Sequence, residues 1–141
     1  MIGTLVGGVT LYVVGYLMFD VTFGAFYASN VGSATGVSRD VNLVWAVALG
    51  SLSYAALVTL AIGNLPGPST IGAGVKTGAV VGFLLWFTVD FILFGITNVA
   101  NLTRTVVDPL LELVRGGVGG AVIAAALGRF AESGRRETAR V

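Results

Sequence analysis

The sequence contains no cysteine and no histidine, and only 11% of its 141 residues are charged. Without cysteine there is neither a disulfide nor a thiol nucleophile, and without histidine there is no imidazole base, no haem-binding histidine and no zinc site of the usual kind. Redox and zinc enzymes are therefore disfavoured, and no cofactor is expected. Ordinary soluble domains carry roughly 25% charged residues, so this chain has too few charges to cover a surface in water.

Apolar residues take the place of the missing charges, at 55% of the chain and a mean hydropathy of +0.92. Four apolar stretches, at about 2–28, 42–63, 76–99 and 109–128, reach the roughly 20 helical residues needed to cross a hydrocarbon core. Short, turn-like connections join them, which makes neighbouring helices antiparallel. The sequence predicts an all-α integral membrane fold, with an antiparallel four-helix transmembrane bundle over residues 1–128 and a polar cytoplasmic tail at 129–141.

Basic residues are distributed unevenly between the two ends of the predicted bundle. Arg39 and Arg104 lie at one end, and five basic residues lie at the end that holds both termini: Lys76, Arg129, Arg135, Arg136 and Arg140. The positive-inside rule then predicts a multi-pass protein of the cell (inner) membrane with both termini in the cytoplasm. The net charge of +1 and the lack of a basic stripe argue against nucleic acid as a partner. Membrane lipid is the expected partner.

Small residues recur at every fourth position in three of the predicted spans. In lipid, helices associate through close backbone contact, and a stripe of small residues supplies a flat groove for it. We expect these faces to pack inside the bundle, with contact between two copies of the chain as the alternative. The stripes consist of Gly3 and Gly7, then Gly74, Gly78 and Gly82, and finally Gly116, Gly120, Ala124 and Gly128.

A faint internal repeat relates the first span to the third. Its spacing slips by one residue between the two copies, and a two-span insertion preserves the orientation of the helices. The repeat therefore predicts two helical hairpins related by a pseudo-two-fold axis along the membrane normal. The residues that correspond are Asp20, Phe23, Gly24 and Asn30 with Asp90, Phe94, Gly95 and Asn101.

Ionisable and polar side chains inside the predicted spans gather at one depth, roughly 9–15 Å below the outer interface at 1.5 Å per helical residue. Asp108-Pro109 has the form of an N-cap followed by the first residue of the fourth helix. Charged groups in a bilayer usually face protein or a wet cavity and have a partner. The candidate polar or ion site consists of Asp20, Asp90, Asn98, Asn101, Glu112 and Arg115.

Arg115 needs a neutralising neighbour, and two carboxylates are candidates. Glu112 stands three residues away on the same helical face, and Asp90 lies at matching depth on the third span. Asp20, Asp90 and Glu112 together would place three carboxylates against one guanidinium, an excess that a proton, a cation or water must relieve. The alternative is that the cluster only locks the helices together.

Two patches of the sequence carry a family resemblance: Phe19-Asp20 with Gly24 and Tyr27, and Ile96-Thr97-Asn98-Val99-Ala100-Asn101-Leu102 followed by Asp108. They resemble a family of small four-span bacterial membrane proteins, known as a domain of unknown function, with a Tyr-Asp-Leu-Thr-Asn-type motif in the third span. The Asp of that motif falls on Gly95 here. The resemblance implies the four-span fold and no known activity.

Two functional hypotheses of different classes follow. The first is a small transport or channel-like protein whose outer-half polar cluster handles a proton, a cation or a small polar solute. The alternative is an accessory or assembly subunit of a larger membrane complex, and a lipid-acting membrane enzyme ranks third, so no catalytic residue is assigned. Because four spans are few for a lone transporter, a homodimer or a larger assembly is expected. A water-connected cavity favours transport, whereas a dry, paired network beside a glycine-lined outer surface favours the accessory role.

Overall fold

The computed structural model describes residues 1–67 and 69–138, with their side chains as far as Phe130. Within these residues the regular elements are helical, and four helical stretches are long and apolar enough to cross a membrane: Ile2–Thr22, Val44–Gly63, Ile71–Ile96 and Leu102–Phe130. The predicted all-α class with four such helices is confirmed. The elements are α1 (Ile2–Gly15), a π-helix (Tyr16–Thr22), α2 (Gly24–Ser29), α3 (Val44–Gly63), α4 (Ile71–Ile96) and α5 (Leu102–Thr138).

The first span changes helix type part-way along, where the sequence predicted an unbroken stretch to residue 28. In the π-helix the hydrogen bonds reach back five residues, as from the Phe23 amide to the Met18 carbonyl at 2.8 Å. The Thr22 hydroxyl donates in the same way to the Leu17 carbonyl at 2.8 Å. Phe23 then interrupts the helix before α2 begins. π-helical turns are rare and often mark functional sites, and this one carries Asp20.

The last helix begins at Leu102, so the predicted start at Asp108-Pro109 is wrong, and both residues lie inside α5. Asn101 caps this helix instead, because its side-chain Oδ1 accepts a hydrogen bond from the Arg104 amide at 2.9 Å. An asparagine in this position satisfies one of the otherwise unpaired amides of the first turn. Pro109 costs α5 one internal hydrogen bond, since it has no amide hydrogen. Because Asn101 caps the helix, the side chain of Asp108 is available for other contacts.

Helix α5 also continues beyond its predicted end at residue 128, as far as Thr138. The segment contains Arg, Glu and Ala, which have high helix propensity, and extending an existing helix needs no new nucleation. The first residues of the predicted tail at 129–141 are therefore helical. Residues 139–141, Arg140 among them, lie outside the described residues.

The glycine stripes of α4 and α5 pack against each other. A Cβ atom placed on Gly78 would overlap the carbonyl oxygen of Gly116, and one placed on Gly120 would overlap the carbonyl oxygen of Gly74. Such contact between two backbones is possible only where neither helix has a side chain. The prediction that these faces pack within the chain is confirmed for this pair of helices.

The N-terminal stripe serves the same purpose against larger side chains. A Cβ atom on Gly7 would lie 2.5 Å from Ile123 Cγ1, and a Cβ atom on Gly119 would lie 2.6 Å from Leu11 Cδ2. Leu11 and Ile123 are fully buried. They belong to an apolar core whose members are Leu11, Tyr54, Ala55, Val58, Ile62, Ile123 and Ala124.

The segments after α2 and after α4 join at one end of the molecule. Val31 and Ala100 form an antiparallel bridge, and the Ala34 amide donates to the Asn98 carbonyl at 3.0 Å. The side chain of Asn101 donates through Nδ2 to Oδ1 of Asn30 at 3.1 Å. The two asparagines of the internal repeat thus contact each other, while the pseudo-two-fold axis stays a prediction.

Candidate functional site

A cavity of about 580 Å³ lies beside the joined segments, between the first span, α4 and α5. Asp90 and Asp108 are each six residues from the nearer end of their helix, which is about 9 Å along the axis. Residues of the loop between α2 and α3 complete the wall. The side chains that carry charge, a ring or a polar group are Phe19, Asp20, Tyr27, Ser38, Asn42, Trp86, Asp90, Arg104, Asp108, Glu112 and Arg115.

The cavity brings together four of the six predicted site residues: Asp20, Asp90, Glu112 and Arg115. Asn98 and Asn101 lie outside it, since Asn98 is exposed and Asn101 caps α5. The prediction included both asparagines in the site and extended the third helix as far as residue 99. Helix α4 ends at Ile96, and the extended backbone of Thr97 turns the following residues away from the face of Asp90.

Arg115 pairs with Glu112 in the interior. Its Nη1 donates to Glu112 Oε1 at 2.6 Å, and the exposed fractions are only 7% for Arg115 and 1% for Glu112. Its Nε donates to the carbonyl oxygen of Leu11 at 2.9 Å, a second use of an oxygen that has two lone pairs. Of the two predicted partners, Glu112 is the one that binds.

The guanidinium of Arg115 crosses α1 at a glycine. A Cβ atom on Gly15 would lie 2.9 Å from the Cζ, Nε and Nη2 atoms of Arg115. The charge also lies 5.6 Å from the ring centroids of Phe19 and Tyr54, at a distance where a cation is attracted to a ring. Arg115 therefore links α1, α3 and α5 at the inner end of the cavity.

Sequence reasoning missed a second group of side chains nearer the mouth of the cavity. Asp108 accepts a hydrogen bond from the Tyr27 hydroxyl through Oδ1, and the guanidinium of Arg104 lies 4.8 Å from the Tyr27 ring centroid. Asp90 and Asp108 line the same cavity. Oδ2 of Asp90 is buried and has no hydrogen-bond partner in the part of the chain that the structure describes.

A signal for these residues exists in the sequence. Arg104, Asp108 and Glu112 are spaced by four, and Arg115 follows three residues later, so the four share one face of a continuous helix. Placing the helix start at Asp108 removed Arg104 from that face and gave Asp108 a capping role. The earlier start of α5 restores the whole stripe.

Comparison with protein-family models, with curated proteins and with solved structures finds no match to this chain. The functional assignment rests on the geometry of the cavity.

The charges that line the cavity do not balance when all of them are ionised. The carboxyl groups of Asp20, Asp90, Asp108 and Glu112 line the same cavity as the guanidinium groups of Arg104 and Arg115. Asp20 is exposed, and the other three carboxyl groups still outnumber the two guanidinium groups. Besides Asp90 Oδ2, the buried Oε2 of Glu112 has no hydrogen-bond partner among the described residues. A surplus of carboxylate in low dielectric is stabilised by protons or by a bound cation. The arrangement is therefore suited to taking up positive charge.

Proposed function

We propose that the protein is a multi-pass membrane protein, with both termini in the cytoplasm, that acts as a small transport or channel-like protein for protons or cations. The observation that carries the proposal is the 580 Å³ cavity with its surplus of carboxyl groups and the two buried carboxylate oxygens that have no partner among the described residues. Ionisable side chains that face a cavity inside a membrane span often mark a pathway for ions or protons.

The proposed arrangement in the membrane is an antiparallel bundle with the cavity in its outer half. Gly74 lies against Gly120 while Gly82 lies against Glu112, so the residue numbers rise along α4 as they fall along α5. Large apolar side chains cover the outside of the helices, such as Leu84 and Ile92, each 57% exposed. Lipid would cover them in a cell membrane, and the uneven basic residues orient the bundle.

A reporter fusion tests this orientation. A protein that fluoresces only in the cytoplasm, attached after the last residue, should be bright because the basic residues favour the cytoplasmic side. A fusion to the loop between α2 and α3 should be dark although it is inserted to the same extent. The opposite pattern would contradict the topology and place the cavity in the inner half of the membrane.

The packing of the glycine stripes favours transport over the accessory role. An accessory subunit would offer a broad surface of small residues to its partner, yet the buried glycines of α4 already contact α5. The polar cluster surrounds a cavity and is not fully paired. We further propose that the active form is a homodimer or a larger assembly, since four spans enclose little space for a complete pathway.

Flux through reconstituted protein tests the transport role. Proteoliposomes that contain the wild-type chain should collapse an imposed proton or sodium gradient faster than empty liposomes. Asp90→Asn should lower that rate by at least about tenfold, because it removes a charge from the cavity wall without changing its shape, and a factor of ten corresponds to only about 1.4 kcal/mol.

The matched control for that experiment is Asp40→Asn. Asp40 is exposed in the loop between α2 and α3 and is not part of the cavity wall, so the same chemical change there should leave the rate within twofold of wild type. A wild-type rate equal to that of empty liposomes for protons and for sodium would contradict transport and favour the accessory role.

A further inference from the structure

A second cavity, of about 440 Å³, lies between α3 and α4 and is lined mainly by apolar side chains, Val47, Leu57 and Leu85 among them. It exists because α3 packs mainly against α1 and touches α4 less closely. Val47 and Leu57 are exposed on the outside of the chain. In the proposed membrane arrangement this cavity therefore faces the lipid acyl chains.

The two cavities share part of their walls, at Trp86 and Arg115. Trp86 precedes Asp90 by four residues on α4, so the two residues lie on the same face of the helix about one turn apart. Tyr54, at 6% exposed, lines the second cavity. Its hydroxyl and the Trp86 Nε1 are both buried and lack a hydrogen-bond partner within the described ranges. Of these two side chains, Trp86 is the one that lines both cavities.

The polar cavity suits a broad, weakly hydrated cation. Its carboxyl groups are spread over the wall, and no three acidic side chains of the described residues converge as metal ligands would. Trp86 places an aromatic ring among them, and ammonium groups that carry alkyl substituents bind well to such rings. The rings of Tyr27 and Phe19 already lie against the guanidinium groups of Arg104 and Arg115. Glu112 adds a nearly fully buried carboxylate with an unpartnered oxygen at the inner end.

We propose that the ligand of this site is an amphiphilic organic cation, a protonated amine or quaternary ammonium ion that carries an apolar tail. The cationic head lies beside Asp90 in the polar cavity, and the tail passes Trp86 into the apolar cavity between α3 and α4. This inference rests on the proposed function and specifies its substrate class. Entry from the lipid between α3 and α4 follows, because the tail cavity faces that way.

Trp86 itself can report the binding. The chain has two tryptophans, so Trp45→Phe leaves Trp86 as the only indole, and Trp45 is 68% exposed and lines neither cavity. In lipid nanodiscs, hexyltrimethylammonium should change the Trp86 emission in a saturable way. Tetramethylammonium, which has the same head and no tail, should bind at least about tenfold more weakly, since each buried methylene group contributes to the affinity. Empty nanodiscs and hexanoate correct for partition into lipid and for the effect of the tail alone.

A cavity-filling variant and its matched control test where the tail lies. Gly50→Leu adds a side chain to the wall of the apolar cavity, and Gly63→Leu adds the same side chain to α3 away from it; both positions have open space around the new Cβ atom. We expect Gly50→Leu to weaken the binding of hexyltrimethylammonium at least about tenfold and to leave the binding of tetramethylammonium unchanged. Gly63→Leu should alter the binding of neither cation. Asp90→Asn should weaken the binding of both cations.

Two results would overturn the inference. If both cations bind the wild-type protein with equal affinity, the site binds only the ammonium head group. The proposed cation function would then remain, but the apolar cavity would not bind a tail. If neither cation changes the Trp86 emission while the liposomes still show proton or sodium flux, the ligand is a small inorganic ion. Absence of that flux is the separate result that contradicts the proposed function.

Discussion

Replacement of Gly78 by alanine should destabilise the protein severely, whereas replacement of Gly72 by alanine on the same helix should not. The new Cβ atom at Gly78 would overlap the Gly116 carbonyl oxygen and approach Gly120 Cα to 2.9 Å. Both are backbone atoms, so no side-chain rotation relieves the overlap and α4 must move away from α5. Overpacking a tight core typically costs about 1–3 kcal/mol, and we expect the upper end because the whole stripe separates.

Gly72 is the matched control for this substitution. It lies six residues before Gly78 in α4, and nothing lies within 4 Å of a Cβ atom placed on it. Alanine there should be neutral or should stabilise by up to about 1 kcal/mol, because alanine has a higher helix propensity than glycine. Thermal unfolding in detergent measures both effects, which should have opposite signs. Equal melting temperatures for the two variants would mean that α4 and α5 do not meet along this stripe.

The four helices could be predicted because their signal is long and repeated. Each stretch is about twenty or more residues long and mostly apolar, and a lipid-facing helix needs little else. The packing of the glycine stripes could also be predicted, since close backbone contact depends on the absence of a side chain at every fourth residue. Both signals are properties of many residues together, so one exceptional residue does not change them.

Helix ends depend on single residues, and there the sequence was ambiguous. Asp108-Pro109 and Asn101 are both good starts for a helix. Asn101 is the one used, and the contact that distinguishes it is its hydrogen bond to Asn30, far away in the chain. The end of α4 is similar, because the segment after Ile96 pairs with residues 31–34, and Gly95, which lies inside the helix, does not mark its end.

Those two helix ends decided how much of the site could be predicted. The residues inside the helices, Asp90, Glu112 and Arg115, were placed on the correct faces by spacing alone. Asn98 was assigned to the site because the third helix was predicted to reach residue 99, whereas α4 ends at Ile96. Asp108 was predicted to cap the fourth helix, but it lies inside α5. The π-helix at Asp20 was not predicted, because no residue pattern in Tyr16–Thr22 distinguishes it from an α-helix.

Replacement of Glu112 by leucine should cost more stability than replacement of both members of its ion pair. Glu112→Leu leaves the Arg115 guanidinium buried without a counter-charge, and arginine cannot lose its proton to escape that cost. Removing one partner of a buried pair typically costs about 3–5 kcal/mol, while replacing both by apolar residues is often close to neutral. The double variant, with Arg115→Leu added, should therefore regain a large part of the loss.

Arg115→Leu alone should destabilise the protein less than Glu112→Leu alone. In Arg115→Leu the carboxyl group left behind can take up a proton and become neutral, so the loss should be smaller than in Glu112→Leu. Thermal unfolding of the four proteins in detergent yields the coupling energy of the pair. Additive effects would show that the hydrogen bond from Arg115 to Glu112 contributes nothing.

A second cycle, with Asp90→Asn and Arg115→Leu, separates this pair from its surroundings. The hydrogen bonds of Arg115 go to Glu112 and to Leu11, and none of those described joins Arg115 to Asp90, so the two changes break no common hydrogen bond. Their effects should add to within about 0.5 kcal/mol. Strong coupling would mean that Arg115 turns toward Asp90 in the membrane. That result would leave Glu112 without its counter-charge and would move the surplus of carboxyl groups from the mouth of the cavity to its inner end.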